Sequence, residues 1–316
     1  MKKMLMAGAV ALGALATSAT GVLADWAPPG PIKMLIAFRA GGGTDTQARL
    51  IAEELEKRHG WKVVPEQLTG KGGANMAAAL KDMPNDGSVI GMAVTETFAY
   101  NMIAGKRQAY AQEDFTALTT TAGFQMGIIA PTTKGWKTWE DMIAAAKGGS
   151  VRFGVMSPKL GDIAYLIGKH EGVDFNIVSF KGGKGVLNAL SAGDADVGFG
   201  AGTQTKAVLA GDMVQMASGL SKRLNITPDA PTLQELGMDL QADGYFVFMA
   251  PAGLPDEART AISDAIAEIV QDESTKAHGI IKKGFGGTVV IKGAELDKVM
   301  ADDLVAAKEL LERASQ

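Results

Sequence analysis

Ile32-Lys33-Met34-Leu35-Ile36-Ala37-Phe38-Arg39-Ala40-Gly41-Gly42-Gly43-Thr44-Asp45-Thr46-Gln47-Ala48-Arg49 decides the fold. Its first seven residues are an apolar run of strand length. Three glycines follow. Beyond them Ala48, Ile51, Ala52 and Leu55 keep one apolar face at helical spacing, and Gly60 is suited to close the helix. Thr44 and Gln47 have the spacing of a capping box. Strand, glycine turn and amphipathic helix make one unit of an α/β fold with mostly parallel strands.

The pattern repeats along the chain. A second unit runs from a strand near Trp61 to Val64, through Gly70-Lys71-Gly72-Gly73-Ala74-Asn75, into a helix holding Met76 and Leu80. Pro84-Asn85-Asp86-Gly87 is a turn that leads to the strand Val89 to Val94. That strand leaves Thr95, Glu96 and Thr97 at its carboxyl end, where open α/β sheets bind ligands. A further set follows: strand Val151 to Val155, helix Ile163 to His170, strand Asn176 to Phe180, helix Val186 to Ser191 and strand Asp196 to Gly200. Tyr245 to Ala250 reads as a strand, Pro251 to Pro255 as a turn and Asp256 to Asp272 as a helix. A final helix carries Leu296, Val299, Met300, Leu304, Ala307 and Leu311 on one face, which is expected to dock on the first lobe. The expected organisation is two doubly wound α/β lobes with a cleft between them. Residues 25–123 plus 245–316 form lobe 1, and residues 124–244 form lobe 2.

Ahead of all this stand Lys2 and Lys3, an apolar run from Met4 to Ala16, and a small-residue stretch ending Val22-Leu23-Ala24. Residues 1–24 therefore read as a secretory signal peptide, with the mature chain starting near Asp25 in the periplasm. An uncleaved anchor is the alternative, but the run falls short of the ~20 apolar residues of a spanning helix. The chain contains no Cys, which excludes a lipid anchor on cysteine, disulfides and thiol chemistry. A net charge of −4 and scattered Lys and Arg leave no basic footprint, so nucleic acid is not an expected partner. The protein is expected to be a monomer.

Three glycine loops share one design: Gly41 to Asp45, Gly70 to Asn75 and Lys181 to Gly185. Each exposes backbone N–H groups where a helix starts, and those donors attract carboxylate or phosphate without a charged side chain. Glycines that only make tight βα turns are the plainer reading. No cofactor is expected. The dinucleotide pattern fails at Thr46, where the third glycine would stand, and no phosphate-loop motif occurs. Nothing points to catalysis either: there is no Gly-x-Ser-x-Gly elbow, and His59, His170 and His278 lack metal-ligand spacing and are expected on the surface. Carboxylates alone leave a periplasmic hydrolase open.

Phe38 to Arg49 resembles the Phe-x-Pro-Gly-Gly-x-x-Asp-x-x-Ala-Arg opening of the tripartite tricarboxylate transporter substrate-binding proteins, the Bug-type or TctC-like receptors. Thr69 to Asn75 is similar to their second glycine loop, and Pro84 to Gly87 to their Pro-Asp-Gly turn. Ser179 to Gly183 resembles their Pro-Tyr-Lys-Gly-Gly segment, continued by Ala192 to Val197, Ala230 to Gly237 and Ala250 to Pro255. The resemblance covers nearly the whole mature chain in order. It implies a type II periplasmic binding-protein fold, and a small carboxylate-bearing solute held largely by backbone amides and water. It also implies small and large integral membrane subunits as transport partners. A ligand-binding partner of a membrane sensor remains the alternative.

On this resemblance the ligand contacts are Phe38, Ala40, Gly41, Gly42, Thr44 and Asp45 in the first loop, and Lys71, Gly72, Gly73 and Ala74 in the second. Thr95 and Glu96 follow at a strand end, and Gly161, Asp162, Lys181, Gly182 and Gly183 come from the facing lobe. Asp45 can equally brace its loop. The family's Gly-Ser-x-x-His loop is here Gly161-Asp162-Ile163-Ala164-Tyr165, with a carboxylate in place of a hydroxyl. Asp162 as a plain helix N-cap is the other reading. Glu96 and Arg39 have a solvated surface role as theirs, and Tyr165 either caps the ligand or is a wall aromatic. One cation, Arg39, and two acids, Asp162 and Glu96, suit a ligand with one carboxylate and an amine or several hydroxyls better than a citrate-like triacid.

Overall fold

The computed structural model describes residues 26–105 and 107–316, so the signal-peptide reading of residues 1–24 lies outside the described residues. Strands β1 (Ile32–Ile36), β2 (Val63–Gln67), β3 (Val89–Val94) and β4 (Phe115–Gly123) alternate with helices α1 (Gly43–His59), α2 (Ala74–Leu80) and α3 (Tyr100–Ile103). Then come β5 (Met126–Pro131), α4 (Trp139–Gly148), β6 (Arg152–Val155), α5 (Pro158–Glu171), β7 (Asn176–Ser179), α6 (Gly182–Ala192), β8 (Val197–Ala201), α7 (Thr205–Leu209) and β9 (Met213–Ser218). The chain ends with β10 (Tyr245–Pro251), α8 (Asp256–Gln271), α9 (Lys276–Phe285) and α10 (Gly293–Ser315).

Two five-stranded sheets result, ordered β2-β1-β3-β10-β4 and β7-β6-β8-β5-β9. Both follow one plan: three parallel strands, then an antiparallel strand, then an edge strand. Helices cover both faces, which is why β3 is buried at all six positions and reads as a continuous apolar run. β4 ends the first sheet at Gly123 and β5 begins the second at Met126, so the chain crosses in two residues. The return crossing lies beside it, where the Phe124 amide donates to the Gly244 carbonyl at 2.9 Å. A side chain on Gly244 would strike the Phe124 ring at 2.5 Å, so glycine is needed for this close approach.

Local details depart from the sequence expectation for identifiable reasons. α1 starts at Gly43 with Gly42 as its uncapped N-cap, which puts Thr44 inside the first turn. The expected capping box does not form; Gln47 instead accepts from the Thr121 hydroxyl at 2.6 Å. β2 begins at Val63, because Trp61 turns aside to pack edge-on against Trp26, ring centres 5.5 Å apart. Gly161 to Tyr165 is not a loop. Ser157 accepts from the Leu160 amide and Pro158 opens α5, so Asp162 lies within that helix and caps nothing. His278 is partly buried rather than on the surface, its Nδ1 3.0 Å from the Val270 carbonyl. α10 does dock on the first sheet, along β4 and α3, yet it also touches α5 of the second lobe.

In the second lobe Asp196 joins the start of β6 to the segment before β8. Its buried carboxylate accepts from the Arg152 backbone amide and guanidinium at 2.8–2.9 Å and from Lys134. The Arg152 hydrogen bonds, reinforced by Lys134, hold it far below the usual carboxylate range. A carboxyl depressed on folding contributes stability that is present above its unfolded pKa and lost as pH falls. Asp196→Asn should lower the unfolding free energy by about 2 kcal/mol at neutral pH. Denaturant titrations should show that gap closing below about pH 4; a gap independent of pH would contradict this role.

Candidate binding cleft

The first glycine loop turns the chain from β1 into α1. Gly41 adopts φ +70°, a region open to glycine, and its amide donates to Asp45 Oδ2 at 2.9 Å. Asp45 is buried and also accepts from Arg49 Nε at 2.8 Å and Gln67 Nε2 at 3.2 Å. It is a brace, the second of its two sequence readings. The Gly42 amide is likewise engaged, by the Arg39 carbonyl at 3.2 Å. The first backbone bond of α1 runs from Thr46 to Gly42, so the N–H groups of Gly43, Thr44 and Asp45 have no acceptor within the helix. A side chain on Gly43 would meet the Phe285 ring at 2.6 Å.

The second loop is wound by four successive positive φ values, at Gly70 (124°), Lys71 (49°), Gly72 (61°) and Gly73 (94°). Within it the Gly73 amide donates to the Gly70 carbonyl at 3.0 Å and the Ala74 amide to the Lys71 carbonyl, which leaves the Lys71 and Gly72 amides to receive an anion. Lys71 is the one non-glycine with positive φ among the described residues, a strained conformation for a side-chain-bearing residue. Two side chains hold it there. Thr97 Oγ1 and Asn101 Nδ2 both donate to the Gly72 carbonyl, at 2.9 and 3.0 Å.

Across the gap, α6 starts at Gly182 behind Lys181, with no side chain capping it. α5 differs: Ser157 and Pro158 close its start. Thus α1 and α6 present uncapped starts toward the space between the lobes, while α5 does not.

That space is a cleft of about 1320 Å³, with a smaller cavity of about 70 Å³ beside it. Of the expected contacts, Phe38, Lys71, Gly72, Gly73, Ala74, Gly161, Asp162, Lys181 and Gly182 line the large space. Phe38, Gly42, Thr44, Glu96, Gly182 and Gly183 line the small one. Thr95 falls on a third cavity of about 190 Å³ between α10 and residues 239–243, which Glu96 also reaches. Ala40, Gly41 and Asp45 line none of these. Tyr165 is half exposed on the wall of the large cleft.

Charge around the cleft differs from the expected one cation and two acids. Arg39, Lys71, Arg107 and Lys181 line the large space and Lys184 the small one, and none of the five has an ion-pair partner among the described residues. Asp162 accepts a 2.5 Å hydrogen bond from Tyr100, so its charge is partly committed. Tyr100 belongs to α3 and Asp162 to α5, making this bond a link between the lobes. Burial, then the Asp162 bond, pushes the Tyr100 hydroxyl well above its ordinary pKa. Glu96 is buried, not a solvated surface acid. Arg107, Asn101 and Tyr100 escaped the sequence reading because no motif marks them, and Lys184 was passed over inside the loop Lys181 to Gly185; Ser157-Pro158 before an apolar-periodic run was a readable cap signal.

Among the described residues no cluster of His, Asp or Glu is suited to hold a metal, and no helix is long and apolar enough to cross a membrane. The family model described as "Tripartite tricarboxylate transporter family receptor" matches residues 47–315. The UPF0065 protein in the gbd 5′ region of Cupriavidus necator is 26% identical over 264 residues, 82% of this chain and 80% of that one. Rpa4515 of R. palustris, solved with adipate, superposes with a TM-score of 0.82 at 21% identity, covering 92% of this chain and 99% of that one. The periplasmic binding protein BugD gives 0.81 at 21% identity, over 92% and 99%. The fold is that of two-lobed periplasmic binding proteins.

Tyr100→Phe keeps the ring in place and removes the bond between the lobes. The variant should lose about 1–2 kcal/mol of stability, and small-angle scattering of the ligand-free protein should give a larger radius of gyration. An unchanged radius would mean that this bond does not restrain the lobes.

Proposed function

We infer the function from a settled premise: this chain belongs to the tripartite tricarboxylate transporter family of receptors, whose model spans residues 47–315. It is a solute-binding receptor for carboxylates and not an enzyme. Adipate is the ligand named for the R. palustris relative. On our reading this chain captures a small organic carboxylate in the periplasm, after export by the segment 1–24, and hands it to small and large integral membrane subunits. Lobe 1 comprises residues 25–123 plus 245–316, and lobe 2 residues 124–244.

One observation carries the reading. Five cations without ion-pair partners among the described residues line the cleft and the small cavity beside it, where the uncapped starts of α1 and α6 and the strained loop at Lys71 and Gly72 also lie. Each of these features stabilises an anion. Contacts are assigned to Gly42 and Thr44 at the start of α1, to Lys71 through Ala74, and to Gly161 and Lys181 through Gly183 from the other lobe. Phe38 walls both spaces. A ligand touching both lobes favours the closed state through those added contacts.

The test is a thermal-shift and titration screen of mono-, di- and tricarboxylates. A true ligand at a hundred times its Kd should raise Tm by about 5 °C, without being consumed. Affinity should fall with added salt, and Lys71→Ala or Lys181→Ala should each weaken it by about 3- to 10-fold. Absence of any stabilising carboxylate, or turnover of one, would overturn the reading.

A further inference from the structure

Glu96 is an acid at a place otherwise arranged for anions. It stands where β3 ends and is only 6% exposed. Among the described residues its one hydrogen bond comes from Asn101 Nδ2 at 3.1 Å, and no Lys, Arg or His lies within ion-pair distance. The nearby cations of the third cavity are engaged elsewhere: Lys159 with the Asp243 carbonyl at 3.3 Å, and Arg313 with Asp239. A carboxylate withdrawn from water without a counter-charge is costly, so such a group is retained where something else supplies the charge.

A second, independent observation concerns Asn101, which is 5% exposed and lines the large cleft. Its amide orientation is set, because Nδ2 donates both to the Gly72 carbonyl and to Glu96. That leaves Asn101 Oδ1 buried with no donor. A buried acid with a single amide donor therefore adjoins a buried amide oxygen that has no donor. The small cavity that Glu96 lines also receives Phe38, Phe124 and Phe246, an apolar surrounding that favours an alkylammonium over a strongly hydrated ion; Arg39 and Lys184 line it too, and neither forms an ion pair with Glu96 among the described residues. In the same cavity Gly43 and Thr44 bring the open N–H groups of α1.

We propose that the solute carries an ammonium group as well as a carboxylate, and that Glu96 together with Asn101 Oδ1 receives the ammonium while the helix start receives the carboxylate. This rests on the receptor reading above and adds the chemical class of its ligand. A carboxylate without an amine would leave Glu96 buried and unpaired beside a second anion. A hydroxyl would satisfy one acceptor without neutralising the charge.

Calorimetric titration with pairs that differ only in the amino group separates the possibilities: 4-aminobutyrate against butyrate and 3-hydroxybutyrate, β-alanine against propionate, glutamate against glutarate. In at least one set the amino member should bind about tenfold tighter or more. Glu96→Gln should bring that ratio toward one. Should the variant fail to fold, judged by its Tm and circular dichroism, the pairs measured on the natural protein decide alone. If deaminated or hydroxylated members bind as tightly as the amino ones, the ammonium site is overturned while the carboxylate receptor stands. If no carboxylate of either kind binds, the receptor reading itself falls.

Discussion

Helices begin with N–H groups that no turn of the helix can satisfy, and most helices cover them with a side chain. Here α5 follows that rule, through Ser157 and Pro158, and takes no part in anion capture through its start. α1 and α6 do not. Glycines stand at both starts: a side chain at Gly43 would strike the Phe285 ring, whereas one at Gly182 would meet open space. Nearly everything else about the molecule serves to bring those open starts together. The loops that follow β1 and β7 line the gap, and the paired crossings at Phe124 and Gly244 join the two sheets. Asp45 and Thr97 act one step back, fixing loop shape by hydrogen bonds to Gly41 and Gly72.

Charge completes the arrangement in two layers. Around the rim stand Arg39, Lys71, Arg107, Lys181 and Lys184, flexible cations that strengthen the field seen by an approaching anion. Deeper in lie the two acids, and they are not equivalent. Asp162 is tied to Tyr100 across the lobes, so its carboxylate helps hold the cleft together. Glu96 has only an amide for company. A receptor that draws carboxylates with its rim and sorts them with one buried acid would separate the tasks of attraction and selection.

The fold was legible because its signals are local. A strand-length run from Ile32, three glycines, and apolar spacing from Ala48 to Leu55 are enough to specify a βα unit, and β3 and β10 came out within a residue of their observed ends. The errors share a cause: where a helix starts depends on which residue caps it, and capping is a contest. Thr44 looked like a cap but lost to Gly42, and Gly161 to Tyr165 looked like a loop because Ser157-Pro158 went unread. The cleft was legible only in part, for a different reason. Its glycine loops leave motifs, whereas Tyr100, Asn101 and Arg107 matter through contacts between segments distant in the chain, which spacing does not encode. Glu96 showed its position at a strand end but not its burial, since that is created by packing around it.

The most direct measurement is a crystal structure of the protein with a bound carboxylate. The account requires carboxylate oxygens at hydrogen-bond distance, or one ordered water away, from the backbone nitrogens of Gly43 and Thr44 or of Lys71 and Gly72, with the second lobe closed over them. A carboxylate held only by side chains, or seated in the cavity beside α10 with the glycine loops empty, would contradict it.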